Sequence, residues 1–459
     1  MTSIERTRSF SVTVLGQRRG PDATAFGPPP TSSGNSPDDA APRASRSAPR
    51  RFLARFALIA FGLFYVPLFL NNYPSLGGGG APVENGLAIR WGHVFTVPGI
   101  WVARTVLHVA RPNPASFAGD NGDFGEEFGR LLLAIVVAAI VALAWTVADR
   151  KRPRASWVEP SLHLLLRYSI ILGLASYAWA KIVPQQFPPL SGVSLEMKVG
   201  ELAPASLLWS FMQYSRPYSL LGGVMELGAI LLLCFRRTTT LGALLCLVVM
   251  TNVMALNFMY DVAVKLYSTM FVLSAAVLAL YDAPRLFAVF VRNTATTETT
   301  ISLPILDRTP GALRWTVKIG LVASVLVSSA VTMASINGHS AAPFEGAWRV
   351  TSFAGASRTP DPTEASTRWR RFAADDYLVA IRLESDSLLT CRRTPPESPN
   401  VLRFSCRGNR QGELRWTRTG DTLALEGTFD GAPMTASASN LKRSDYRLVS
   451  SKPRLIRDR

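Results

Sequence analysis

Four charged residues interrupt otherwise apolar stretches: Lys181, Glu226, Asp261 and Lys265. An ionisable group inside a hydrocarbon-length segment is costly unless it meets a partner, a wet recess or a ligand, so each is a candidate for function. Two are cations and two are anions. Together they can hold a polar headgroup or pass a proton. Glu226 lies about 10 Å below the outer boundary of its apolar run, at ~1.5 Å per helical residue. So short a side chain cannot reach water from there and needs an internal partner. Asp261 and Lys265, one helical turn apart, share a face. Their pairing either locks a turn or contributes to the same pocket. Tyr177, Gln185, Gln186, Trp209, Asn252, Asn257 and Tyr260 fall at the ends of the same segments and complete a candidate ligand-binding set. No residue is assigned as catalytic. There is no Gly-rich phosphate loop, no His-Glu-x-x-His and no Cys-x-x-Cys, so neither a nucleotide nor a metal site has a signature. Of the histidines His93, His108, His163 and His339, at most His93 and His108 fall on the same side and could share one site as facing haem ligands.

The elements that must position these residues are mostly helices. The chain has 459 residues, of which 48% are hydrophobic and 18% charged, with a net charge of +17. Soluble proteins carry about 25% charged residues. The deficit resides in runs such as Leu131–Val147, Ser219–Phe235 and Leu241–Leu256, which approach the ~20 residues needed to cross a bilayer. This excludes a soluble enzyme. The excess of Lys and Arg clusters at Arg43–Arg55, Arg150–Arg154, Arg236-Arg237 and Arg285–Arg292. Positive charge marks cytoplasmic flanks, so the excess reports topology and contact with anionic headgroups, and not nucleic-acid binding.

The pattern predicts a mostly α membrane protein with about seven transmembrane helices. Residues 1–50 read as a disordered basic cytoplasmic tail without the apolar core of a signal peptide. Residues 51–155 hold transmembrane and interfacial helices. Within them, 94–110 reads as interfacial or re-entrant, and Ala134, Ala138 and Ala142 form a small-residue packing stripe. Residues 160–283 form four helices, with Arg167 expected to reach back to the inner boundary. A cytoplasmic loop spans 284–314, and 315–336 crosses outward a last time.

Residues 340–459 have no apolar run. Tyr377–Glu384, Leu402–Cys406 and Leu423–Phe429 are short and β-rich, and Gly420-Asp421 and Asp430-Gly431 are hairpin signals. This predicts a small extracytoplasmic antiparallel barrel or sandwich, either holding a ligand or filled and acting as an interaction module. Cys391 and Cys406 fall on adjacent strands, where they either form a disulfide in an oxidising compartment or remain two thiols. Cys234 and Cys246 lie inside spans as packing residues.

Tyr177-Ala-Trp-Ala-Lys181 followed by Pro184-Gln-Gln-Phe-Pro188, Gly222-Gly-Val-Met-Glu226-Leu-Gly228 and Asn257-Phe-Met-Tyr260-Asp261-Val-Ala-Val-Lys265 together resemble the DoxX-like family of membrane proteins over residues 160–283. The resemblance implies a four-helix bundle in the bacterial inner membrane, in the longer form with added spans and an extracytoplasmic β domain. It also implies an association with quinone-linked oxidoreduction. The expectation is therefore a protein that binds a small amphiphile, a quinone or a lipid, at the outer leaflet, scaffolds a partner oxidoreductase, or does both. The alternative is a redox enzyme subunit whose Lys/Glu/Asp cluster moves protons beside a quinone. A transporter fits less well, because the polar cluster sits at one face and not at the midplane.

Overall fold

The computed structural model describes residues 47–71, 86–109, 125–150, 156–296, 310–336, 342–355, 368–394 and 400–450. The expected tail up to residue 46, residues 151–155 with most of the Arg150–Arg154 cluster, residues 297–309 of the expected cytoplasmic loop and His339 lie outside them.

The helices are α1 (Ala48–Asn71), α2 (Gly86–Thr105), α3 (Gly125–Ala148), α4 (Val158–Ile182), α5 (Gly192–Glu196), α6 (Pro204–Tyr214), α7 (Arg216–Cys234), α8 (Thr239–Met259), α9 (Lys265–Tyr281), α10 (Ala283–Phe290), α11 (Gly311–Ile336) and the short α12 (Arg447–Ser450). Prolines set several boundaries. Pro160, Pro204, Pro217 and Pro284 occupy first turns, where a missing N–H costs nothing. Pro184 disfavours helical geometry at Val183 and so ends α4.

Among the described residues, five helical segments are long and apolar enough to cross a membrane, in α3, α4, α7, α8 and α11. A sixth arises if α9 and α10, bent by 70°, count as one. α1 covers the run expected as the first of about seven spans. α3 turns Ala134, Ala138 and Ala142 inward where it packs on α1 and α2, and leaves Ile135, Val136, Ile140, Val141, Leu143 and Val147 exposed. Water penalises such a face and hydrocarbon does not.

α4 packs on α7, α7 on α8, α8 on α9, and α9 back on α4, while α1 and α11 lean on the outside of α4. Small fully buried residues, Ala175, Ala178, Ala229, Ala243 and Ala275, line the seams, with Ile170, Ile230 and Phe271 filling between them. Lipid gives helices little hydrophobic reason to associate, so close approach and internal hydrogen bonds must do it. Tyr65 and Ser274 supply one such bond at 3.0 Å between α1 and α9. Arg55 supplies another link. Expected only as a flanking charge, it is buried, bonds Thr146 Oγ1 at 3.1 Å, pairs with Asp149 and lies over the Trp145 ring. Arg167 also departs from expectation. It does not reach back to the boundary but is 5% exposed, donating from Nε to the Leu233 carbonyl of α7.

The C-terminal region is a closed antiparallel barrel of eight strands in chain order: β1 (Gly346–Gly355), β2 (Trp369–Ala374), β3 (Leu378–Leu383), β4 (Leu388–Thr394), β5 (Val401–Cys406), β6 (Gln411–Thr419), β7 (Thr422–Phe429) and β8 (Ala432–Leu441), with β8 pairing back to β1. It is a barrel, not a sandwich. Its hairpins turn at Gly420 and at Asp430-Gly431, all at positive φ as the favoured two-residue turns require. Trp348, Trp369, Phe372, Phe404, Leu414 and Met434 fill the interior, so this is a packed core. Cys391 and Cys406 lie directly opposite on β4 and β5 and form a disulfide.

Alternation breaks in β3, where nearly every residue is buried, because α5 covers its outer face. Val193 of α5 inserts among Ala347, Ala373 and Ala380. Gly192 allows this approach, since a Cβ there would collide with the backbone of Gly346. Around that contact Arg371 bonds Glu196 at 2.8 Å, and Arg382 grips both carboxylate oxygens of Glu201 at 2.8 Å. Residues 190–203 therefore form a collar that ties the barrel to the bundle.

Candidate functional site

The site begins with a close helix crossing. A Cβ on Gly223 would stand 2.8 Å from the Ala178 carbonyl oxygen and 3.0 Å from Lys181 Cβ, so only glycine lets α7 approach α4 at this level. The approach brings Lys181 Nζ to 2.9 and 3.1 Å from the two oxygens of Glu226. The side chains retain 8% and 2% of their exposure. Glu226 thus finds the internal partner that its depth demands. Tyr177 adds its ring face, 5.8 Å from Nζ. Arg216, at the start of α7, donates to the carbonyls of Lys181 and Ile182, which the end of α4 leaves without helical partners.

Past this pair the bundle opens into a cavity of about 1030 Å³. Its wall is mostly apolar, with Leu174, Phe187, Met212, Met250, Leu256 and Phe271. Of the candidates, Tyr177, Lys181, Gln185, Gln186, Trp209, Glu226, Asn257 and Asp261 line it. Asn257 Nδ2 donates to Ser268 Oγ at 3.1 Å, coupling α8 to α9 across the wall. Gln186 Oε1 is buried with no hydrogen-bond partner among the described residues, leaving an acceptor beside the cavity.

The other three candidates stand apart from this lining. Asn252 is exposed on α8. Tyr260 packs in the apolar cluster of Phe187, Leu208, Met212 and Val262. Lys265 pairs with Asp261 at 2.7 Å, where Asp261 is 84% exposed, so this pair closes a turn at the surface. The turn is strained: Asp261 and Val264 both have positive φ, at 51° and 87°, the second an outlier for a β-branched residue.

Sequence reading missed the part of the wall that comes from the barrel. Asp375 and Leu378, at the β2–β3 turn, face the cavity, and Asp375 accepts from Ser191 Oγ at 2.8 Å. Nothing in the local pattern of the strands couples them to helices nearly two hundred positions earlier. Ser194, Ser206, Gln213 and Tyr267 also line the cavity and were not singled out.

Outside the helices, the collar carries the clearest electrostatic effects. The Arg382 hydrogen bonds pull the Glu201 carboxyl down to about 2. Burial, followed by the hydrogen bond to Glu196, pushes the Tyr446 hydroxyl up. Among the described residues no group of three or more His, Cys, Asp or Glu is arranged to hold a metal. The cavity can accept a molecule with an apolar body and a polar end. Its floor offers a neutralised ion pair, a phenol and amides.

No protein-family model and no solved structure matches the chain. The uncharacterized protein YwoB of Bacillus subtilis strain 168 is similar to it, at 27% identity over 133 residues, which cover 29% of this chain and 84% of that protein.

Proposed function

We propose that the chain is a DoxX-like integral protein of the bacterial cytoplasmic membrane that binds a small amphiphile, a quinone or a lipid, at the outer leaflet, with the barrel as cover and as a surface for an oxidoreductase partner. The N-terminus is cytoplasmic and the barrel extracytoplasmic in this reading. The observation that carries it is the cavity of about 1030 Å³ whose apolar wall ends on the buried Lys181–Glu226 pair. Ligand sites are commonly clefts of ~300–1,000 Å³ with few polar groups. The unpartnered Gln186 oxygen supports a polar ligand end at the same level. The Cys391–Cys406 bond supports an oxidising compartment for the barrel.

The test is mass spectrometry of the purified full chain for retained quinone or lipid. Retention by the wild type that falls for Glu226→Gln supports binding. An empty wild-type protein, with no affinity change in the variant, removes the proposal. A second reading, proton transfer beside a quinone, draws on the same buried pair. It requires quinone-linked activity in membranes that disappears with Glu226→Ala.

A further inference from the structure

Arg167 and Lys181 lie on the same helix about 21 Å apart, at ~1.5 Å per residue, so Arg167 belongs to the end of the bundle remote from the cavity. Its surroundings are unlike those of Lys181. Nε is spent on the Leu233 carbonyl, and Nη2 is buried with no hydrogen-bond partner among the described residues. Lys318 of α11 arrives at the same place, its Nζ 4.5 Å from the centre of the Trp315 ring and 5.1 Å from that of Phe235. Arg167, Arg236 and Lys318 lie within electrostatic reach of one another, and among the described residues no carboxylate is among the groups acting on Arg167 or Lys318. Asp282, which acts on His163 one turn earlier in α4, accepts from Thr240.

A buried guanidinium N–H without an acceptor is expensive, and neighbouring cations raise the cost. The complement is an oxyanion, which the planar fork of Arg holds through two parallel bonds. Phosphate oxygens meet that need whether free or in a lipid headgroup. The margin of the cluster favours the lipid: Phe235, Trp315 and Ile319 are exposed around it, surfaces suited to acyl chains.

We infer that Arg167 and Lys318 form a site for the phosphate of an anionic phospholipid between α4, α7 and α11. The site is separate from the cavity and does not depend on what the cavity binds.

The full chain in detergent, offered equal amounts of phosphatidylglycerol and phosphatidylcholine, is read by native mass spectrometry. The wild type retains phosphatidylglycerol in preference by about fivefold or more, as expected for each cation brought to an anionic lipid. Lys318→Gln lowers the preference and Arg167→Gln abolishes it. Because Arg167 also holds α7, the less buried Lys318 provides the variant less coupled to folding. Equal retention of both lipids by the wild type, or an unchanged preference in Lys318→Gln, overturns the inference. Loss of the preference in millimolar inorganic phosphate assigns the site to a soluble oxyanion and overturns the lipid; persistence supports it.

Discussion

In the bundle, Lys181 and Glu226 meet with side-chain exposures of 8% and 2%. On the collar of the barrel, Arg382 is equally hidden at 4%, but its partner Glu201 keeps 28% and stays in contact with water. At the turn beside the cavity, Asp261 is 84% exposed and its bond to Lys265 is open to solvent. All three pairs have oxygen–nitrogen distances of 2.7 to 2.9 Å. What separates them is the cost of leaving one partner behind, and that cost follows burial and not distance. In the bundle an orphaned charge faces a mostly apolar cavity wall. On the collar it faces a partly exposed surface.

The largest loss is expected at Glu226. Glu226→Ala strands the Lys181 ammonium in an apolar wall and should destabilise the protein by about 3–5 kcal/mol in thermal or denaturant unfolding. Replacing both partners, Lys181→Met with Glu226→Leu, should recover most of that loss. A double variant as unstable as the single one would show that the pair does more than neutralise itself.

The barrel relies on a covalent link where the bundle relies on burial. Cys391→Ala with Cys406→Ala opens a loop of sequence separation 15 and should cost about 3 kcal/mol, seen as a lower melting transition for the barrel. An unchanged transition would mean that the packed Trp348–Phe372–Phe404 interior suffices alone.

The collar is sensitive to acid. Glu201 is held at about 2 against an ordinary value of 4.5, so its stabilising share is complete above the ordinary value and is lost as pH falls through the lowered one. Limited proteolysis between bundle and barrel should therefore accelerate as pH drops from 4.5 toward 2. Arg382→Gln should produce the looser state at neutral pH, at a cost of about 1–2 kcal/mol once the exposure of Glu201 is discounted. Protease resistance unchanged in that variant would place the docking energy in Val193 and its alanine neighbours instead.

The smallest effect belongs to the surface turn. Lys265→Ala should change stability by no more than about 0.5 kcal/mol, as for other exposed pairs one helical turn apart. A larger loss in unfolding experiments would mean that Asp261 is held for the cavity and not only for the turn.

Much of this was legible in the residues. Long runs without charge mark helices because every backbone group can be satisfied within one segment in lipid. Asp430-Gly431 marks a hairpin because its turn needs positive φ, and the prolines mark helix starts. Lys181 and Glu226 announce themselves because charges in such runs are rare. The remainder depended on direction. Asn252 and Asn257 are equally polar and near in sequence, yet at 3.6 residues per turn they point about 140° apart, and packing turns only the second inward. Arg167 looked able to reach the boundary, but its nearest acceptor is a carbonyl at the end of α7, visible only once α4 and α7 are side by side. Asp375 reaches the cavity only because α5 docks on the outer faces of β1 to β3. Local sequence thus determined which segments are helical or extended and which charges need partners, since those are properties of a few neighbouring residues. Which partner each one finds depends on surfaces brought together from distant parts of the chain, and the tertiary structure alone decided that.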